Sequence, residues 1–202
     1  SLGSGAEYDI RRDIEGASET DDAGSVPADE YGFSKYLISR LARGDDRCLV
    51  IRLFGVFGKY EDYGTRFISN VICRTLLGLP VTVNQNRKFS YLYISDLCSI
   101  VRRFIGDWPK ERVVNAVRDE KHELLSLAEI AVKAAGGRPA ILVKKPGMGK
   151  EYTGDNSLLR KCIGGIEFTG MEKAVGELCS WYSANRAGID RELLLEDVSE
   201  RA

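Results

Sequence analysis

Tyr31 and Lys35 stand four residues apart in Tyr31-Gly32-Phe33-Ser34-Lys35. On a helix this spacing sets two side chains one turn apart on the same face. A phenol is a weak acid with an ordinary pKa of about 10. A neighbouring ammonium stabilises the phenolate and draws that value towards neutrality. A Tyr poised in this way accepts a proton from an alcohol or donates one to a carbonyl. Two unrelated surface residues produce the same spacing, so the flanking sequence has to separate the two cases.

Other chemistries find little support. The only histidine, His122, lies in the polar run Asp119-Glu120-Lys121-His122-Glu123 and reads as a solvated loop residue, which argues against histidine catalysis and multi-histidine metal sites. The five cysteines (Cys48, Cys73, Cys98, Cys162, Cys179) are far apart and match no metal spacing. Most read as small buried hydrophobes. An odd count without a visible secretion signal points to a reducing, cytoplasmic compartment. Net charge is −1 over 202 residues, which gives no reason to expect a nucleic-acid partner. The apolar runs are only a few residues long, too short for a membrane span. Pro146-Gly147-Met148-Gly149-Lys150 lacks the phosphate-loop spacing and reads as a flexible loop. At 44% hydrophobic content the chain can build one substantial core, or one domain plus a lobe.

The elements that must position Tyr31 and Lys35 follow from pattern. Ser1-Leu2-Gly3-Ser4-Gly5-Ala6 reads as a strand end entering a loop, with no initiator Met, as in the C-terminal part of something longer. Residues 8 to 28 read as a long loop with turn chemistry at Asp21 to Ser25 and Pro27. A helix is predicted from about Ala28 to Arg43, stopped by Gly44. Cys48 to Phe54 is nearly continuously apolar, as in a strand buried on both faces. Helix followed by such a strand indicates a βα unit of a parallel sheet, whose ligands bind beyond the strand C-termini. Phe54-Gly55-Val56-Phe57-Gly58-Lys59 lies just past that end, and its glycines permit close backbone approach.

Further on, a helix is predicted over 65–77, ending at Gly78, then a strand over 79–83, a turn over 84–86 and a strand over 89–94. Ser95 is placed to cap a helix over 96–105, with a strand following at 113–117. Ser126-Leu127-Ala128-Glu129 and Thr169-Gly170-Met171-Glu172 fit capping boxes opening two helices, the first ending at Gly136-Gly137 and the second near Arg186. Between them Ile141-Leu142-Val143 reads as a short strand. Ala174, Val175, Leu178, Trp181 and Tyr182 fall on the buried side of the second helix, and the acidic tail from Asp190 reads as a terminal helix.

The order of these pieces resembles the extended short-chain dehydrogenase/reductases, in the NAD-dependent nucleotide-sugar epimerase/dehydratase branch. Ser4-Gly5-Ala6-Glu7-Tyr8 stands where the family has its Ser-rich turn ending in Tyr. Glu19 and Pro27 follow, then Tyr31 to Lys35, Arg52 to Gly58, Gly78-Leu79-Pro80-Val81 and Tyr91 to Asp96. Asp155-Asn156-Ser157 is similar to a segment near the family's end. The resemblance implies an α/β fold: the C-terminal part of a Rossmann-like doubly wound parallel sheet plus a small α/β substrate-binding lobe. Residues 1–58 would be the remainder of the dinucleotide-binding domain. Residues 59–202 would be mostly substrate lobe, with elements around 90–117 returning to the Rossmann part.

Carried over by position, the resemblance makes Ser4, Tyr31 and Lys35 catalytic. Ser4 holds the reacting sugar oxygen, Tyr31 is the acid/base, and Lys35 holds the nicotinamide ribose and depresses the Tyr pKa. Tyr31, Lys35 and Leu53 would touch NAD or NADP, while Ser4, Gly55, Arg87 and Asp155 would touch a nucleotide-sugar substrate. Gly55 stands where the family often has Asn, and Lys59 where it often has Pro. Phe89 stands where an Arg contacts the substrate phosphate, with Arg87 two residues away on the same strand face. The family's G-x-x-G-x-x-G pyrophosphate loop does not occur in these 202 residues, which implies a missing N-terminal segment and an exposed sheet edge.

Dehydratases usually carry an acidic pair directly after the Ser/Thr. Here Gly5 and Ala6 follow Ser4, which favours an epimerase or a 4-keto-sugar reductase. The alternatives are a non-catalytic relative that binds dinucleotide or a partner, and a truncated product inactive alone. The family often dimerises through two helices, one bearing the Tyr/Lys pair. Exposed apolar residues on the outer face of helix 28–43 would indicate such a homodimer.

Overall fold

The computed structural model describes residues 1–21 and 26–195. In chain order these residues form β1 (Leu2–Ser4), β2 (Ile14–Ala17), α1 (Glu30–Ala42), β3 (Val50–Leu53), β4 (Gly55–Phe57), α2 (Phe67–Leu76), β5 (Val81–Asn86), β6 (Lys88–Phe89) and β7 (Tyr91–Tyr93). They continue with α3 (Ile94–Gly106), β8 (Val113–Asn115), β9 (His122–Glu123), α4 (Leu124–Ala134), β10 (Ile141–Met148), β11 (Tyr152–Gly154), α5 (Ser157–Ile163), α6 (Met171–Ala184) and α7 (Arg191–Leu195). Short 3-10 turns occur at Gly5–Tyr8 and Arg186–Gly188.

The chain divides into two compact units. The first gathers Ser1–Val56, Arg87–His122 and Gly149–Phe168. Its central sheet is parallel, in the order β1-β3-β8, with Ser4 opposite Leu53 and Arg52 opposite Asn115. Alternate residues of β3 and β8 face opposite layers. Val50 and Val113 pack with Ala42 of α1 on one face. Ile51 and Val114 pack with Ile100 and Phe104 of α3 and Leu159 of α5 on the other. A strand covered on both sides explains the continuous apolar run around β3. Each fully buried aliphatic or Phe side chain here contributes about 1.5–3 kcal/mol of transfer free energy. A second parallel arrangement places β11 between β2 and β6, with Tyr152 opposite both Ile14 and Phe89.

The second unit gathers Phe57–Asn86, Glu123–Met148 and the chain from Thr169. It holds the parallel pair β5–β10 and the packed helices α2, α4 and α6. Ile68 and Ile72, Leu127 and Ala131, and Ala174 and Leu178 are buried in it. Among the described residues of the chain no helix is long and apolar enough to cross a membrane.

Several local expectations are corrected. The loop expected over 8–28 contains β2, whose partner β11 lies far away in sequence; Gly16 N–H donates to Thr153 Oγ1 at 2.8 Å across 137 residues. Of the turn expected at Asp21 to Ser25, residues 22–25 lie outside the described residues. The turn expected at 84–86 is strand, because β5 stays paired with β10 through Asn86. The flexible loop expected at Pro146 to Lys150 is strand as far as Met148; Gly147 takes φ +75° where the register shifts.

Ser95 does not cap α3, because the helix begins at Ile94 with Tyr93 at the N-cap position. The box at Ser126 to Glu129 lies inside α4, which begins at Leu124 because Asn86 Oδ1 accepts the Leu125 N–H at 3.1 Å. Gly170, not Thr169, holds the N-cap position of α6. Trp181 is half-buried, edge-on to the Tyr60 ring at 5.1 Å, instead of core. His122 is half-buried at the start of β9, with Nε2 3.7 Å from a Glu120 carboxylate oxygen, instead of a solvated loop residue. Of the tail expected to be helical from Asp190, α7 covers Arg191–Leu195, and 196–202 lie outside the described residues.

Candidate active site

The candidate site lies wholly in the first unit, at the C-terminal end of β1. Ser4 ends that strand and caps the following 3-10 turn: its Oγ accepts the Ala6 N–H at 3.2 Å, and its own N–H donates to Glu7 Oε1 at 2.8 Å. This reciprocal capping box fixes Ser4 at 5% exposure. The glycines on either side are required by packing. A Cβ on Gly3 would lie 2.6 Å from Glu7 Oε1, and one on Gly5 would lie 2.6 Å from the Phe54 ring and 2.8 Å from the Tyr152 hydroxyl.

Tyr31 and Lys35 are held by α1, which starts where Asp29 Oδ1 accepts the Gly32 N–H at 2.7 Å. A Cβ on Gly32 would lie 2.7 Å from the Ala6 carbonyl oxygen, so α1 sits directly against the turn that bears Ser4. Two turns on, Ser39 Oγ donates to Glu7 Oε2 at 2.5 Å. Lys35 Nζ donates to the Leu2 carbonyl at 3.0 Å and lies 5.7 Å from the Tyr31 ring centre. The Ile51 N–H takes the Ser1 carbonyl, so by strand alternation the Leu2 carbonyl faces away from β3. The predicted helical pairing of Tyr31 with Lys35 therefore holds, and both sit beside the strand that ends in Ser4. Tyr31 is 58% exposed.

Beneath these groups runs a buried polar network. Glu7 and Arg52 have fully buried side chains, and Arg52 Nε donates to Glu7 Oε2 at 2.7 Å. Arg52 also donates to the Tyr8 hydroxyl at 2.8 Å, and Tyr8 donates to Asn115 Oδ1 at 2.8 Å. Asn115 Nδ2 donates to the Ala17 carbonyl at 2.8 Å, and its N–H to Glu19 Oε1 at 2.7 Å. Burial raises the Tyr8 phenol above its ordinary range and raises the Glu19 carboxyl. One carboxylate thus joins the Ser4 turn, α1 and β3. Sequence reading named Glu7 only as part of the turn from Ser4 to Tyr8. The available signal was a charged Arg52 inside a doubly buried strand, which has to meet an opposite charge.

The remaining expected residues fall as follows. Leu53 pairs in register with Ser4 at the ends of their strands. A Cβ on Gly55 would lie 2.7 Å from the Phe89 ring and 2.9 Å from Tyr91, so the space this glycine leaves is taken by rings of the chain itself. Arg87 lies with its guanidinium 5.3 Å from the Phe89 ring centre. The Asp155 carboxylate accepts the Ser157 N–H and hydroxyl, both at 3.0 Å, at the start of α5.

Tyr152 was absent from the sequence-based site. Its ring packs between Phe54 at 5.1 Å and Phe89 at 4.8 Å, and its hydroxyl fills the space left at Gly5, 2.8 Å from where a Cβ would stand. Burial raises its phenol above the ordinary range, and it also feels the Tyr31 phenol and the Arg87 guanidinium.

The chain matches the model of the NAD dependent epimerase/dehydratase family over residues 1–116. Comparison with curated proteins finds no match. Among solved structures, the chain is similar to dTDP-glucose 4,6-dehydratase from Bacillus anthracis in complex with NAD, at 17% identity and TM-score 0.78, covering 95% of this chain and 63% of that one. It is similar to UDP-glucose 4-epimerase from Thermotoga maritima with UDP-glucose, at 15% identity and TM-score 0.76, covering 92% and 63%. A GDP-L-fucose synthetase from Naegleria fowleri has TM-score 0.79 at 12% identity, covering 95% and 66%. At these identities the likeness is one of fold, and it bears out the expected fold class. The chain spans about 63% of the length of the first two structures.

Proposed function

Because the chain belongs to the NAD dependent epimerase/dehydratase family, we propose that the complete protein modifies a nucleotide-linked sugar by hydride transfer, as an epimerase or a 4-keto-sugar reductase. One observation carries this reading: α1 packs on the Ser4 turn at Gly32, bringing Tyr31 and Lys35 to the strand end where Ser4 and Leu53 stand in register. In this reading the first unit is the dinucleotide-binding part, and the second supplies most of the substrate lobe.

Tyr31 takes the proton from a sugar hydroxyl, or returns it to a carbonyl. Ser4 donates to the same sugar oxygen and stabilises the charge that develops there. NAD or NADP, when bound, accepts or supplies the hydride. The residues present fit the nicotinamide end of such a dinucleotide. Lys35 Nζ, already 5.7 Å from the Tyr31 ring centre, has two further donor hydrogens beyond the one given to Leu2 and would hold the ribose hydroxyls. Tyr31 and Leu53 would flank it. The sequence holds no G-x-x-G-x-x-G for the pyrophosphate. Arg87 would meet the substrate's phosphate in place of the residue at Phe89.

The exposed apolar face of α1, with Phe33, Leu37, Ile38 and Leu41 at 43%, 44%, 40% and 79% exposure, supports a homodimer formed through this helix. The test of function is to offer nucleotide sugars to the full-length protein and follow the nicotinamide absorbance. Net NADPH oxidation with a keto-sugar identifies a reductase; sugar interconversion without net oxidation identifies an epimerase. Bound dinucleotide with neither reaction would leave the non-catalytic alternative.

A further inference from the structure

Phe89 belongs to β6 and stands opposite Tyr152 of β11, so the sheet places its backbone. Its ring is held from several sides. The Tyr91 ring stacks on it at 4.7 Å, and the Tyr152 ring lies at 4.8 Å. Gly55 leaves room for one edge, because a Cβ there would lie 2.7 Å from Phe89 Cε1. The Arg87 guanidinium lies over the same ring, 5.3 Å from its centre. Arg87 is half-buried, and among the described residues no hydrogen bond or ion pair takes its N–H donors. The buried Arg52 differs, since it donates to Glu7 and Tyr8.

We infer that Phe89 is a positioning residue for substrate binding, whose ring seats the Arg87 guanidinium with its donors open to a phosphate of the nucleotide-linked sugar. The inference rests on the proposed function and deepens it, by naming what holds the cation that meets the phosphate. An aromatic face attracts a guanidinium without using its N–H groups. A carboxylate in the same place would hold Arg87 as firmly, but it would spend those donors and cancel the charge. Arg87 has a long side chain with many rotamers, and a seat formed before the substrate arrives lowers the entropy lost on binding. The placement suits the substrate. The Tyr152 hydroxyl lies against Gly5, the neighbour of Ser4, and Phe89 and then Arg87 follow from the Tyr152 ring. A sugar with its reacting oxygen at Ser4 carries its phosphate on the far side of the ring, and this row leads away from Ser4 to a free cation.

Wild type, Phe89→Leu, Phe89→Tyr, Arg87→Gln, the double variant Phe89→Leu with Arg87→Gln, and Tyr31→Phe are compared in the full-length protein with its dinucleotide. The probe is whichever of UDP-glucose, UDP-glucuronic acid or dTDP-glucose the wild type turns over. Leu keeps an apolar group against Tyr91 and Tyr152, so thermal melting should stay near wild type.

Phe89→Leu is expected to raise KM about twofold to fivefold, the effect of one exposed cation–π contact. Arg87→Gln should raise it about tenfold or more, the loss of a charge-assisted hydrogen bond. In both, kcat should stay within about twofold, because the contact is the same in ground and transition states. Phe89→Tyr keeps the aromatic face and should keep KM. The double variant should be no worse than Arg87→Gln, because Phe89 acts through Arg87. In 15N-arginine-labelled protein, the Nε–H resonance lost in Arg87→Gln should move in Phe89→Leu. Additive losses in the double variant, a loss in kcat alone, an unchanged KM in Phe89→Leu, or an Arg87 resonance unmoved by it would each overturn the inference. An unchanged KM in Arg87→Gln overturns it as well. If Tyr31→Phe retains turnover, the catalytic reading falls, and the KM comparison still judges Phe89 and Arg87.

Discussion

Glu7→Gln removes one charge from a pair that is fully buried on both sides. The carboxylate accepts from the Ser4 N–H at 2.8 Å, Ser39 Oγ at 2.5 Å and Arg52 Nε at 2.7 Å. An amide satisfies these donors from one oxygen only. Turned one way, its NH2 faces Arg52; turned the other, it faces the Ser4 N–H. In both arrangements Arg52 keeps a full charge in a site with no water contact and loses the carboxylate that accepts its Nε–H. Removing one partner of a buried pair costs about 3–5 kcal/mol. For a chain of this size that lowers the melting temperature by about 6–20 °C. Urea denaturation of the 202-residue chain, followed by circular dichroism, measures the loss. The combined change Glu7→Leu with Arg52→Met replaces both charges by apolar groups and should recover most of the stability. A Glu7→Gln protein within about 1 kcal/mol of wild type would refute the reasoning, as would a double variant less stable than Glu7→Gln.

Other expectations follow from the same contacts. Gly32→Ala drives a methyl to 2.7 Å from the Ala6 carbonyl and from Asp29 Oδ2, so α1 must move off the Ser4 turn; a loss of about 1–3 kcal/mol in a urea melt is expected. In the second unit burial raises the Glu61 carboxyl to about 7, against the bond it accepts from Ser69. A carboxyl raised in the folded state stabilises fully below its unfolded pKa of 4.5 and loses that contribution as pH rises through about 7. The melting temperature should therefore contain a component that falls across this window, and Glu61→Gln should abolish it. Leu41→Glu places a charge on the most exposed apolar residue of α1 and should halve the mass of the full-length protein seen by sedimentation.

What the sequence disclosed depended on how local each feature is. The helix carrying Tyr31 and Lys35 was legible because its apolar positions and the Gly44 that follows it are close neighbours in the chain. The parallel strand around Ile51 was legible because burial on both faces leaves a continuous apolar run. β2 was not legible: Ile14-Glu15-Gly16-Ala17 has no strand pattern of its own and exists by pairing with β11, far along the chain. Tyr152 was hidden for the same reason, since only that pairing brings its hydroxyl against Gly5. The start of α4 was misplaced because the acceptor of its Leu125 N–H, Asn86, belongs to a distant strand. Arg52 and Glu7 were visible as letters of a pattern, but their meeting required the sheet register that sets Gly3 beside Arg52.

The central claim is that Tyr31 moves the proton that accompanies hydride transfer. Tyr31→Phe in the full-length protein tests it most directly, with turnover and dinucleotide binding measured on the same sample. Turnover should fall by about a hundredfold or more, the usual contribution of a positioned acid/base, while dinucleotide affinity stays within a few-fold. Turnover that persists near the wild-type rate in Tyr31→Phe would contradict the account.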